Sequence, residues 1–509
     1  MGWASSPPLQ KNGPGSRRGR FVFAILKETM LPLLLLLLAQ APTVEQKATQ
    51  AKALMEQARF AEAAILWADL VKATPGNAGL LLNQGMALHL DGQDAKSIPL
   101  LEQAAKAGAP PAFLFLGAAY LRTQQPAKAT APLKRFVALD PRHIDARLML
   151  VDAIGSPASE TLPHLEALAN LDPQRPAVWY QLGRAYEELA FADFSQLGKL
   201  HPESGPFFAL LADSRSKVSQ NRAAFFFYRK ALTKSPNLRG LHTAIADIYR
   251  RTGEPSWALS EDVAEVKLGE PVCKVPNPEC AVRAGQLGQA LSLARPLKTP
   301  EGFYWRVRSY DGLARQAFAR LAQLPESPES FRFQAETFRD QEKHAEAVAA
   351  WREALRLAPA HPDFTRELIA GLLQTKDYAE AQKLLNTIPA KSAELNLLQG
   401  DLFLAQQQPD QAIAALQQAV ARDPKLLPAR ASLARALLQT GKPAEALPHA
   451  TAAVPFDTDG SLHFQLARAY QAAGQADAAK AAMAQYQQIQ ARNKEQERQV
   501  EAEAQITPP

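Results

Sequence analysis

Phe113 to Pro141 read F-L-F-L-G-A-A-Y-L-R-T-Q-Q-P-A-K-A-T-A-P-L-K-R-F-V-A-L-D-P. Gly117 and Tyr120 fall in a first helix, Ala129 falls in a second, and Pro141 ends it. A glycine at 117 lets two helices approach closely, and the tyrosine three positions on fills the groove between them. An alanine at 129 leaves room for bulk from the facing helix. Proline cannot continue a helix, so Pro141 closes one hairpin and sets the next.

The same spacing returns along the chain. Trp179, Leu182, Gly183 and Tyr186 form another first helix. Ala224, Tyr228, Ala231 and Pro236 form a second helix, and Ile245, Ala246, Tyr249, Gly253 and Ala258 repeat the hairpin. Ala335, Phe338, Ala347, Trp351, Ala354 and Pro359 follow the pattern, as do Gly400, Phe403, Ala412, Leu416, Ala419 and Pro424. Ala434, Leu437, Gly441 and Ala446 continue it, and Ala467, Tyr470, Gly474 and Ala479 close it. One such hairpin cannot bury its apolar face, so neighbours must stack.

These residues resemble the tetratricopeptide-repeat consensus, whose period is about 34 residues. The resemblance covers most of residues 44–488. It implies an all-α fold, an α-solenoid of antiparallel helix pairs wound as a right-handed superhelix. It also implies an inner groove that takes peptides or protein surfaces.

Departures from the pattern divide the chain. Residues 42–264 read as an N-terminal array, 265–327 as an irregular helical junction, 328–488 as a C-terminal array and 489–509 as a polar helical tail. Residues 187–205 lack a normal second helix. The junction includes a helix near Ala281 to Ala294 and the run F-Y-W-R-V-R-S-Y-D-G-L-A-R-Q-A-F-A-R-L from Phe303 to Leu321.

Residues 1–41 read as a secretory leader. Arg17, Arg18, Arg20 and Lys27 precede the run L-P-L-L-L-L-L-L from Leu31 to Leu38, and Ala39-Gln40-Ala41 is a small-residue cleavage pattern. The apolar run is far short of the roughly 20 residues that span a bilayer. Met1 and Met30 are both candidate starts. The alternative is an uncleaved signal that anchors the chain, and associates it weakly with the membrane, with its body outside the cytoplasm. The expected location is therefore periplasmic or secreted.

The chain carries 57 Lys and Arg against 51 Asp and Glu, a formal charge of +6. Most of that excess sits in residues 1–41. The repeats are close to neutral, which argues against nucleic acid as a partner. At 47 % hydrophobic and 21 % charged residues, the chain has the composition of one that folds. Many of its 38 prolines fall between expected helices.

The two cysteines, Cys273 and Cys280, bracket the turn-rich segment K-V-P-N-P-E. In an oxidising compartment they suit a small disulfide-closed loop, and two unrelated thiols are the alternative. Two cysteines do not make a four-ligand metal site. The nine histidines form no ligand motif, and there is no phosphate loop or nucleophile elbow. No catalytic residue, metal or cofactor is therefore expected.

Two aromatic groups stand out as binding candidates. Tyr304, Trp305 and Tyr310 are interleaved with Arg306 and Arg308, residue types that anchor interfaces. Phe207 and Phe208, with Phe225–Tyr228, form a second group bordered by Arg222 and Arg229. Packing of the irregular junction and of neighbouring repeats is the alternative use for both. The expected function is an exported scaffold that holds peptide segments or protein surfaces in its groove. Its partner's identity and its own oligomeric state are not written in the sequence. The alternative is a glycan-binding or enzyme-associated module of envelope or polysaccharide-export machinery, with Tyr304, Trp305 and Tyr310 stacking sugar rings.

Overall fold

The computed structural model describes residues 43–359, 361–389, 391–503 and 505–509. The secretory-leader reading of residues 1–41 lies outside the described residues. Every described element is helical, and none of these helices is long and apolar enough to cross a membrane.

The chain divides into two compact units, 1–155 and 156–509. In the first, α1 (Val44–Glu56) pairs with α2 (Phe60–Ala73), α3 (Ala78–Leu90) with α4 (Asp94–Lys106), and α5 (Pro110–Arg122) with α6 (Pro126–Leu139). α7 (Ile144–Ile154) stacks on the last pair. The close approach expected at the small residues is present. A Cβ built on Gly85 would lie 2.7 Å from the side chain of Leu101, and one on Gly117 would overlap Leu133. In both pairs the glycine and the leucine are sixteen residues apart. Buried Leu101, Leu116, Leu133 and Leu150 run through the stack as its core.

The second unit begins with α8 (Ala158–Leu171) and α9 (Pro176–Leu200). α9 has 25 residues, against 13 in α5. Then come α10 (Gly205–Lys217), α11 (Asn221–Lys234), α12 (Leu241–Arg251), α13 (Pro255–Lys267), α14 (Pro278–Arg283) and α15 (Leu287–Ala294). The helix expected near Ala281 to Ala294 is thus two helices. Gly285, at φ 71°, makes the turn between them, a conformation that glycine adopts without steric cost.

α16 (Pro300–Gln323) is again long, at 24 residues, and returns to pack along α9. Gly183 on α9 meets Phe318 on α16, where a Cβ would lie 2.5 Å from the ring. This is the same approach as Gly117 to Leu133, made across 135 residues instead of sixteen. The missing second helix after residue 187 and the unusual run at 303–321 are therefore two halves of one repeat. Residues 201–299 are inserted between its helices. The extra turns of α9 and α16 lie at the same end of the pair and carry that insertion.

From there the alternation resumes. α17 (Pro328–Asp340) pairs with α18 (His344–Leu357), α19 (Pro362–Gln374) with α20 (Tyr378–Thr387), and α21 (Ala393–Ala405) with α22 (Pro409–Arg422). α23 (Leu427–Gln439) pairs with α24 (Pro443–Ala453), and α25 (Ser461–Ala472) with α26 (Ala476–Glu503). The stack joins the split hairpin through Phe333, which lies 4.1 Å from Phe318 ring to ring. Glu336 on α17 also accepts the Tyr180 hydroxyl of α9 at 2.9 Å. The end of the chain reaches back to the insertion, where Tyr249 donates to the Thr507 carbonyl at 2.6 Å.

Many prolines do start helices, as at Pro110, Pro126, Pro176 and Pro300, where the missing N–H has no intrahelical partner to lose. Among the described residues, four depart from that expectation. Pro99, Pro132, Pro163 and Pro448 lie inside helices.

Gly183→Ala is expected to destabilise the chain by about 1–3 kcal/mol, the usual cost of an overpacked contact. Phe318→Leu should relieve part of that cost in a double-mutant cycle followed by thermal unfolding. Gly288→Ala is the control, because open space surrounds that position.

Candidate functional site

The insertion and α16 enclose a cleft of about 910 Å³. One wall is the inner face of α16, with Tyr304, Trp305, Arg308 and Arg315. Facing it are Arg239 and Gly240 before α12, Asp247 on α12 and Glu265 on α13. Asp213 on α10 and Glu279 on α14 fill in the sides.

The sequence-level candidates separate into two kinds here. Tyr304 is 1 % exposed, and its ring meets Trp305 edge-on at 4.9 Å and 76°. Tyr310 is buried against Tyr186, with ring centroids 6.2 Å apart. Phe208 is buried and stacks on Phe227 at 6.4 Å, with the Lys230 ammonium 5.4 Å from its ring. Arg306 is 6 % exposed. It donates twice to Asp193 on α9, at 2.8 and 3.0 Å, and also to the carbonyls of Ala294 and Leu297. Its guanidinium also lies 4.2 Å from the Phe303 ring. These four side chains serve packing, and Arg306 clamps the extension of α16 to α9 and to the end of α15. Of the rest, Trp305 and Arg308 are half-buried in the cleft wall, and Arg222 is exposed at the start of α11.

The aromatic arrangement is therefore not a flat platform. Two of the three rings are buried, and Tyr304 stands steeply to Trp305. Only Trp305 offers part of a ring to the cleft.

Charge in the cleft is mostly internally paired. Arg308 bridges Asp213 at 3.1 Å and donates to the Tyr304 hydroxyl at 3.1 Å. Tyr228 donates to the same Asp213 at 2.6 Å. Burial, and then the Asp213 carboxylate, push the Tyr228 phenol above its ordinary pKa. Burial does the same to Tyr304, so both phenols keep their protons. Arg239 pairs with Glu279 at 3.2 Å and donates to the carbonyls of Leu268 and Gly269. It therefore fixes the stretch that carries Cys273 to the base of α14. Cys273 and Cys280 are bonded, with Cα atoms 5.8 Å apart.

Two groups are left over. Arg315 is exposed and has no ion-pair partner among the described residues. Glu265 accepts the Gly240 N–H with Oε1 at 2.7 Å, while its Oε2 is buried without a partner. A buried carboxylate oxygen without a donor is costly unless a ligand or water supplies one. Sequence reading missed both residues, and Asp213 and Arg239 as well. Each is an ordinary charged residue on a repeat helix or turn, and only the return of α16 brings them together.

A second cleft of about 380 Å³ lies in the C-terminal repeats, lined in part by Arg435, Phe464, Arg468 and Tyr486. Among the described residues, no group of three or more His, Cys, Asp or Glu is placed to hold a metal ion.

Family models agree with this architecture. One tetratricopeptide-repeat family model matches residues 49–113 and 397–461, and a second matches residues 338–399. No curated protein sequence matches the chain. Among solved structures, a tetratricopeptide repeat protein from Parabacteroides merdae is 10 % identical, covers 71 % of this chain and 98 % of its own, and gives a TM-score of 0.34. A thermophilic TPR protein from Thermus thermophilus is 14 % identical, covers 35 % and 98 %, and gives 0.30. YrrB, described as a TPR protein with an unusual peptide-binding site, is 16 % identical, covers 42 % and 92 %, and gives 0.28.

Arg306→Met should cost about 3–5 kcal/mol in chemical denaturation, because it strands Asp193 beside buried surface. Arg315→Met should fall within about 0.5 kcal/mol of the parent, as an exposed, unpaired residue does.

Proposed function

We propose that this chain, which belongs to the tetratricopeptide-repeat family, is an exported scaffold that holds an extended segment of a partner protein in the cleft between α16 and the insertion. The observation that carries the reading is the pair of unsatisfied groups there. Glu265 Oε2 lacks a donor and Arg315 lacks an anion, beside a partly open Trp305. An extended peptide supplies all three complements. It brings backbone N–H groups or a basic side chain for Glu265, a carboxylate for Arg315, and an apolar side chain for the Trp305 ring. Concave sites with a few convergent polar groups are where such ligands are held.

Export is supported by the leader sequence at residues 1–41 and by the Cys273–Cys280 bond, which suits an oxidising compartment. The glycan-handling alternative drew on three aromatic rings. It loses most of its footing because Tyr304 and Tyr310 are buried.

The test is a quantitative capture from envelope extract with two immobilised baits, the parent chain and the Trp305→Ala/Arg315→Glu variant. A partner held by the parent and lost at least about tenfold by the variant, roughly 1.4 kcal/mol, supports the reading. Partners recovered equally by both baits would place binding elsewhere. Amino-terminal sequencing of the envelope-located protein should begin at Pro42, and recovery of the chain in the cytoplasmic fraction would contradict export.

A further inference from the structure

α13 ends a hairpin inside the insertion, yet it carries the residues of a helix that expects another to stack on it. Ala258 sits in the buried alanine position that Ala347 holds in α18 and Ala412 in α22. In those two helices the next residue is aliphatic and faces the following repeat. Val348 and Ile413 are 4 % and 7 % exposed. α19 covers Val348, since a Cβ on Gly371 would lie 2.9 Å from it. Eight positions past the alanine come Leu355 and Val420, both packed into their cores.

The matching residues of α13 are Leu259 and Val266, and they are 66 % and 79 % exposed. Val263 lies between them on the same face, since positions four and three residues apart share one side of a helix. It is 53 % exposed. α13 packs on α12, and no other helix covers this face among the described residues. Val272, just before the disulfide loop, and Val275 within it are also exposed. Five open aliphatic side chains this close in sequence are unusual on a surface. Apolar residues there are normally scattered singly, and an exposed apolar patch commonly marks an interaction site.

We propose that this face is the contact between two copies of the chain, with α13 of each covering α13 of the other about a twofold axis. The stripe is nearly symmetric about Val263, so antiparallel helices set Leu259 of one copy against Val266 of the other. Such self-complementarity is what a twofold interface requires. The charges do not oppose it. Asp262 is already bridged to Arg250 and Glu261 to His242. Lys267 is set towards Ser256 and Ser260 of the second copy rather than towards another lysine. Covering Leu259, Val263 and Val266, with Val272 and Val275 beside the ends of the partner helix, removes roughly 500 Å² per copy, about 1,000 Å² in the pair, the small end of the range for protein interfaces.

The experiment is sedimentation velocity on the full chain at low micromolar to tens of micromolar concentration. The parent should be a dimer. Leu259→Glu/Val266→Glu should weaken dimerisation by roughly a hundredfold or more while leaving the circular dichroism spectrum unchanged. Val263→Cys, which sits on the proposed axis, should form an intersubunit disulfide under mild oxidation and keeps the test decisive if the charged variant misfolds. A monomeric parent at every concentration overturns the proposal, as does a dimer untouched by the charged variant. A Val263→Cys protein that does not crosslink overturns it too.

Discussion

The second unit depends on the contact between Gly183 and Phe318. A hydrogen in place of a side chain at 183 lets α16 lie against α9 where a shorter loop would normally bring the second helix of the same hairpin. Phe318 then stacks on Phe333, which joins the split repeat to the C-terminal series. Interiors pack at crystal-like density, so such a contact does not slide. The helix that finds this slot also fixes where everything inserted before it must sit.

That constraint explains the composition of residues 303–310. The inner halves of α9 and α16 behave as an ordinary repeat. The outer halves extend past it and must bury both each other and the helices mounted on them. Phe303, Tyr304, Arg306 and Tyr310 do that work. Buried aromatics bring large contact area, and Arg306 supplies a bidentate bridge to Asp193. Trp305, Arg308 and Arg315 fall on the side of α16 that faces the insertion. The cleft therefore follows from mounting a small helical array on two over-long helices.

Much of this was legible in the sequence, and the part that was not has a physical reason. Gly117, Ala129, Ala347 and Gly400 announce helix pairs because small residues are needed wherever backbones approach. The same code at Trp179 to Tyr186 announced a first helix, and the break after residue 187 was visible. What sequence could not supply was the partner. Nothing local distinguishes a missing second helix from one displaced beyond residue 300, because loop closure costs little extra as loops lengthen. The irregular stretch 265–327 lies within the second unit, where Arg239 and the Cys273–Cys280 bond tie part of it down. Tyr304 and Trp305 read as one aromatic patch, but adjacent helical positions point about 100° apart, so one is buried and the other half open.

Excision measures the split hairpin most directly. Residues 189–310 are removed and Glu188 is joined to Asp311 by a short polar turn, leaving the inner halves of α9 and α16 as one repeat of ordinary length. If Gly183 and Phe318 form a genuine hairpin contact, the shortened second unit keeps its helical content per residue. It then unfolds in one cooperative transition by circular dichroism. If the residues on either side of the excision unfold separately, or the region from Pro176 to Gln323 exchanges its amide hydrogens as an unstructured chain, α9 and α16 are not halves of one repeat.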